Sequence, residues 1–125
     1  MSESNLEKAR ILIVDDERKL RLSLSDILTY KGYHVKAVAN GYQALESLQQ
    51  NEYDCILLDI VMPGLSGIDL LKKIHHLYPH IPVIMVSGYG TIETAIKATK
   101  MGAYDFLEKP VKAERLFVTV DNAIK

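Results

Sequence analysis

The chain has little of what staples, spans or chelates. One cysteine in 125 residues excludes an intrachain disulfide framework, and a reducing cytoplasmic compartment fits that count. Four histidines lie scattered along the sequence with no zinc-ligand spacing. No stretch approaches the roughly 18 apolar residues of a membrane span. Met1 to Arg10 carries Glu3, Glu7, Lys8 and Arg10 in place of an apolar leader core, so neither secretion nor membrane insertion is expected. Charge of one sign is also missing. Lys plus Arg number 15 against 16 Asp plus Glu, a formal charge of -1, and no overall field would hold a polyanion, so direct nucleic-acid binding is not expected. Internal repeats, low-complexity tracts and linkers are absent too. What is present is ordinary for a folded domain: 48% hydrophobic and 25% charged residues, enough for one core. We expect one domain over 1–125, with 1–9 a flexible N-terminal segment.

Short apolar runs alternate with segments of helical period, the pattern of a parallel sheet covered by helices. Strands are expected at Ile11 to Val14, Tyr33 to Val38, Asp54 to Leu58, Pro82 to Val86 and Ala103 to Leu107. The first helix carries Leu20, Leu24, Ile27 and Leu28 on one stripe and stops at Gly32. Asn40 caps a second helix that buries Ala44, Leu45 and Leu48. A third turns Ile68, Leu71 and Ile74 inward and ends before Pro79. Thr91 caps a fourth, with Ile92, Ala95, Ile96 and Thr99 inward and a stop at Gly102. The last begins near Ala113 and buries Leu116, Val120 and Ile124. Five βα units with right-handed crossovers make an α/β, doubly wound, five-stranded parallel sheet with five helices, whose ligands belong at the carboxyl ends of the strands.

The residues at those ends are Asp15, Asp16 and Glu17 after the first strand, Asp59 after the third, Ser87 after the fourth and Lys109 after the fifth. Clustered carboxylates repel one another, so they either raise a pKa or hold a cation. Oxygen-only ligands with open positions suit Mg²⁺, which keeps waters and also binds phosphate oxygens. Lys109 supplies a compact positive charge and Ser87 a rotatable hydroxyl. No G-x-x-x-x-G-K-[ST] loop occurs, so there is no nucleotide phosphate cradle. A carboxylate nucleophile that forms an aspartyl phosphate is the simplest chemistry, with Asp59 as acceptor and Asp15 and Asp16 on the metal. Singly, each residue has an ordinary reading: helix cap, turn residue, loop serine, solvated lysine. Together those readings require four coincidences at one edge of the sheet.

The motifs Ile11-Leu12-Ile13-Val14-Asp15-Asp16-Glu17, Leu57-Leu58-Asp59-Ile60-Val61-Met62-Pro63-Gly64-Leu65-Ser66-Gly67, Val86-Ser87-Gly88 and Lys109-Pro110 resemble, in this order, the receiver domain of bacterial two-component response regulators. The resemblance implies a flavodoxin-like receiver fold, phosphoryl transfer to Asp59 from a sensor histidine kinase, and Mg²⁺ held by Asp16, Asp59 and the Val61 main-chain carbonyl. Asp15 would act on the metal directly or through water, Lys109 would pair with phosphoryl oxygens, and the Lys109-Pro110 bond would be cis. Gly102 to Pro110, with Gly88 to Ala95, looks like the receivers of nitrogen-regulation (NtrC/NtrX-type) transcription activators. In those proteins an ATPase domain and a DNA-binding domain follow, and neither is in this sequence, so the chain reads as an excised domain or a single-domain regulator.

Ser87 stands where the family often has Thr, and Phe106 where it often has Tyr; both are switch positions, and without a hydroxyl Phe106 can move only through packing. The fourth helix, fifth strand and fifth helix are expected to form the readout surface, where Tyr104, Phe117 and Val118 are apolar residues the core stripes do not need, and the resemblance implies homodimerisation there. The domain is expected not to be an enzyme with an external substrate. Two alternatives are a phosphorylation-independent interaction module and an aspartyl-phosphate phosphatase, the latter disfavoured because neither Asp15-Asp16 nor Asp59-Ile60-Val61 forms a D-x-D motif. Gly88-Tyr89-Gly90-Thr91-Ile92-Glu93 lacks the third glycine of a dinucleotide fingerprint. His75 and His76 are neighbours on a helix and point about 100° apart, so they make no metal pair. Cys55 reads as a small buried hydrophobe.

Overall fold

A computed structural model describes residues 9–62, 64–88 and 92–125, with the side chain of Ile92 left out. The expected Thr91 cap, residues 1–8 of the segment expected to be flexible, and Pro63, Tyr89 and Gly90 of the motifs lie outside the described residues. The strands are β1 (Arg10–Val14), β2 (His34–Val38), β3 (Cys55–Asp59), β4 (Val83–Ser87) and β5 (Asp105–Glu108). The helices are α1 (Arg18–Tyr30), α2 (Gly41–Gln50), α3 (Gly67–Leu77), α4 (Ile92–Lys100) and α5 (Ala113–Ile124). All strand pairs are parallel, in the order β2-β1-β3-β4-β5. This is the flavodoxin-like, doubly wound arrangement expected.

Because side chains alternate across a strand, the three central strands bury both sets. Leu12, Val14, Ile56, Leu58, Val83 and Met85 meet the layer that contains α2, α3 and α4, through Ala44, Leu48, Leu70, Leu71, Ile74 and Ala98. Ile11, Ile13, Cys55, Leu57, Ile84 and Val86 meet α1 and α5 through Leu24, Leu28, Leu116 and Val120. The thiol of Cys55 is fully buried, and burial pushes its pKa up to about 12. Asn40 caps α2 by accepting from the Gln43 amide, as its position ahead of the apolar stripe predicts. No helix among the described residues is long and apolar enough to cross a membrane.

Each observed strand start lies within two residues of the expected one, and those of β2 and β5 follow a helix-closing turn. Gly32 and Gly102 take left-handed φ of 105° and 106°. The next residue donates back into the helix, Tyr33 to the Leu28 carbonyl and Ala103 to the Ala98 carbonyl. These helix-closing turns occupy Tyr33 and Ala103, and β2 starts at His34 and β5 at Asp105. The same closure sets the phase of α4. Ala98 is fully buried and packs with Ala103, while Ile96 is 50% exposed and Thr99 is exposed with its hydroxyl bonded to the Ala95 carbonyl. Ile96 and Thr99 therefore do not face the core as expected, and Ala95 is half-buried. Phe117 is a second correction. It packs against the α1 and α5 core, with Lys31 Nζ 5.1 Å from its ring centroid, and is not a spare surface apolar group.

Candidate functional site

The parallel register brings the strand ends to one edge. Val14 pairs with Leu58 and Asp59 with Val86, so the residue after β1 and the last residue of β3 are neighbours. Asp15 is buried, and its amide donates to the Val38 carbonyl at 3.1 Å. Its Oδ1 accepts from the Glu17 amide at 2.8 Å, and its Oδ2 lies 3.3 Å from Lys109 Nζ. Asp59 is 4% exposed, with Oδ1 3.5 Å from the same Nζ and accepting from the Val61 amide at 3.4 Å. Lys109 reaches both because its own amide donates to the Ser87 carbonyl at 3.0 Å, one step past β5. That bond also sets the buried Ser87 beside it. The Lys109-Pro110 peptide is cis, as the resemblance implied.

Asp16 is exposed, yet one carboxylate oxygen from each of Asp15, Asp16 and Asp59 falls within 4.8 Å of the others. Such a donor set, oxygen-only and open to solvent on one side, fits a hard divalent cation. Burial and then the Asp15 charge push the Asp59 carboxyl up to about 6, against the pull of Lys109. Burial opposes the Lys109 ammonium, but Asp15 and Asp59 outweigh it and its pKa is raised.

The raised carboxyl pKa has a sign for stability. Asp59 is protonated in folded and unfolded chains below about pH 4, ionised only in the unfolded chain between about 4 and about 6, and ionised in both above that. In metal-free protein its burial is therefore without cost at low pH and destabilising above about pH 6. Asp59→Asn removes that penalty. Its stability advantage over the wild type should open between about pH 4 and 6 to on the order of 2 kcal/mol, read by urea unfolding without divalent cations. Millimolar Mg²⁺ should stabilise the wild type and close the gap.

Not every expected residue joins the cluster. Phe106 sits opposite Met85, half-buried against the α2–α4 layer, where it lines a groove of about 550 Å³ with Ala95, Ile96 and Tyr104. Val61 is exposed at the edge of the site. His75 and His76 are exposed, and His75 faces the turn at Gly102 instead of a metal. Three contributors escaped sequence reading. Arg21 Nη1 donates to the Asp15 carbonyl at 2.8 Å. Ser66 caps α3 by accepting from the Asp69 amide, and its hydroxyl donates to Asp69 Oδ2. Gly67 lies directly against the Asp59 backbone. Only Ser66 had a readable signal, a Ser-x-x-Asp spacing ahead of an apolar stripe.

Residues 11–121 match the response regulator receiver domain. The chain belongs to that family. Among curated relatives, an NtrX-like response regulator of Rickettsia bellii (strain RML369-C) is 43% identical over 115 residues, 90% of this chain and 24% of the relative. The receiver thus spans about a quarter of the length of the NtrX-like relatives it matches. The crystal structure of the receiver domain of NtrX from Brucella abortus is 40% identical with a TM-score of 0.87, over 91% of this chain and 97% of that one. The solution structure of the beryllofluoride-activated NtrC4 receiver domain dimer is 38% identical with a TM-score of 0.88, over 92% of this chain and 95% of that one. The chain is a two-component response regulator receiver, similar to the NtrX and NtrC type.

Proposed function

We propose that this receiver accepts a phosphoryl group on Asp59 from a sensor histidine kinase. The observation that carries the reading is one buried carboxylate at the end of β3, flanked by the Lys109 ammonium and the Asp15-Asp16 pair. An Asp59 carboxylate oxygen attacks phosphorus as the bond to the kinase histidine breaks, leaving an acyl phosphate on Asp59. Lys109 gives up part of its pairing with Asp15 and Asp59 to bind the incoming oxygens, and Ser87 supplies a hydroxyl beside it. Asp16, Asp59 and the Val61 main-chain carbonyl would hold Mg²⁺, with Asp15 acting directly or through water. Bound there, Mg²⁺ neutralises the carboxylates and takes up charge on the phosphoryl oxygens.

The new charge, about -1.5 to -2, is balanced by Lys109 and Ser87, and both adjoin Gly88. Phe106 and its groove lie against α4, so the signal leaves through the α4-β5-α5 face, where Ile96, Tyr104 and Val118 are exposed. The beryllofluoride-activated NtrC4 receiver, solved as a dimer, supports pairing of activated domains. In a longer chain an ATPase and a DNA-binding domain would follow in a cytoplasmic transcription regulator, and this domain would itself bind no nucleic acid.

Acetyl phosphate with Mg²⁺ tests the reading: a gain of one phosphoryl per chain supports it. Turnover of added phosphoesters would instead indicate a phosphatase, and an unchanged mass an interaction module that works without phosphorylation. Phosphorylated protein should sediment as a dimer at concentrations where unmodified protein is monomeric; identical sedimentation at high concentration rejects the proposed surface.

A further inference from the structure

Helix α1 begins against the preference of its own dipole. Arg18, Lys19 and Arg21 fall in its first four residues, and its first turn holds no acid, although the amino end of a helix favours negative charge. Arg18 and Lys19 are exposed, but Arg21 is half-buried and its guanidinium turns back to donate to the Asp15 carbonyl at 2.8 Å. That carbonyl belongs to the peptide joining Asp15 to Asp16. Every polar atom of Asp15 is thereby held: the amide by Val38, Oδ1 by the Glu17 amide, Oδ2 by Lys109 and the carbonyl by Arg21. Asp16 is exposed, so the direction of its carboxylate rests on the backbone that carries it.

Resting on the reading that these carboxylates hold Mg²⁺, we propose that Arg21 is a positioning residue of the site. It fixes the Asp15–Asp16 peptide and so aims the Asp16 carboxylate at Asp59. Arginine suits the task because its fork of donors stays charged and keeps its direction. Groups that orient ligands in this way typically contribute 10- to 100-fold to metal affinity.

The test is a Mg²⁺ titration followed by calorimetry, beside amide exchange at Glu17 in metal-free protein. Arg21→Ala should weaken Mg²⁺ binding about tenfold. The Glu17 amide should exchange faster, and acetyl phosphate labelling should slow at low Mg²⁺ but recover at saturation. Arg21→Lys, which can still reach a carbonyl with a cation, should stay within about threefold of the wild type. Ile27→Ala, a core truncation on the same helix, should lower the melting temperature without moving the Mg²⁺ midpoint. If Arg21→Ala does not fold, Arg21→Gln is read the same way, with a several-fold loss expected. A wild-type Mg²⁺ midpoint in the Ala or Gln variant, with the wild type binding Mg²⁺ normally, overturns the role of Arg21 alone. A wild type that neither binds Mg²⁺ nor takes a phosphoryl group overturns the reading of the site as well.

Discussion

Asp59→Asn will take no phosphoryl group from acetyl phosphate and Mg²⁺, while the wild-type chain takes one. The amide keeps the size and burial of the carboxylate but is no nucleophile, so the loss should be complete. Other carboxylates give an internal control. Asp15 is tied up by Glu17 and Lys109, and Asp16 stands exposed at the rim without the flanking lysine contact that Asp59 has. Intact-mass measurement reads the result directly. Labelling of Asp59→Asn at wild-type stoichiometry would move the acceptor elsewhere and defeat the proposal.

Gly67→Ala should be among the most damaging single changes in the domain, costing about 3 kcal/mol or more and lowering the melting temperature by about 10 °C. A Cβ there would lie 2.0 Å from the Asp59 carbonyl oxygen and 2.6 Å from the Ile60 Cα. Both obstacles are backbone at the end of a central strand, and neither can rotate away. The clash would push the capped start of α3 off the residue that carries the acceptor carboxylate, so labelling should fall along with stability. Gly64→Ala provides the contrast. Its φ is +79°, but among the described residues only the Tyr42 ring comes near, at 3.8 Å, so the cost is backbone strain of about 1 kcal/mol. Urea midpoints of the two variants should differ clearly. Equal midpoints would show that α3 can slide to admit a methyl group.

The fold was legible wherever one residue type has one physical use. Gly32 and Gly102 mark helix ends because a left-handed residue belongs there, and Asn40 marks a helix start because its side chain can replace a missing acceptor. The carboxylates and Lys109 were legible because parallel βα units bring every strand end to one rim. The inward face of α4 was misread from the larger side chains. Ile96 looked like core, yet Gly102 had already made Ala98 the residue that closes on Ala103, and two small side chains let the helix approach. Phe117 was misassigned because one sequence does not say which neighbouring helix will cover an aromatic ring. Arg21 and Gly67 carry no local mark of what they touch. Each acts on backbone from another element, and that proximity exists only once the chain has folded.

The lone thiol offers a clock for the middle of the sheet. Cys55 opens the same strand that Asp59 closes, with both of its faces under helices. A maleimide or disulfide reagent can reach it only when a covering helix lifts, so the rate of modification counts openings and not collisions. Any ligand that tightens the far end of β3 should slow that rate in proportion to the occupancy it achieves. Site occupancy could thus be followed with a colorimetric reagent, in the native chain and without an added label.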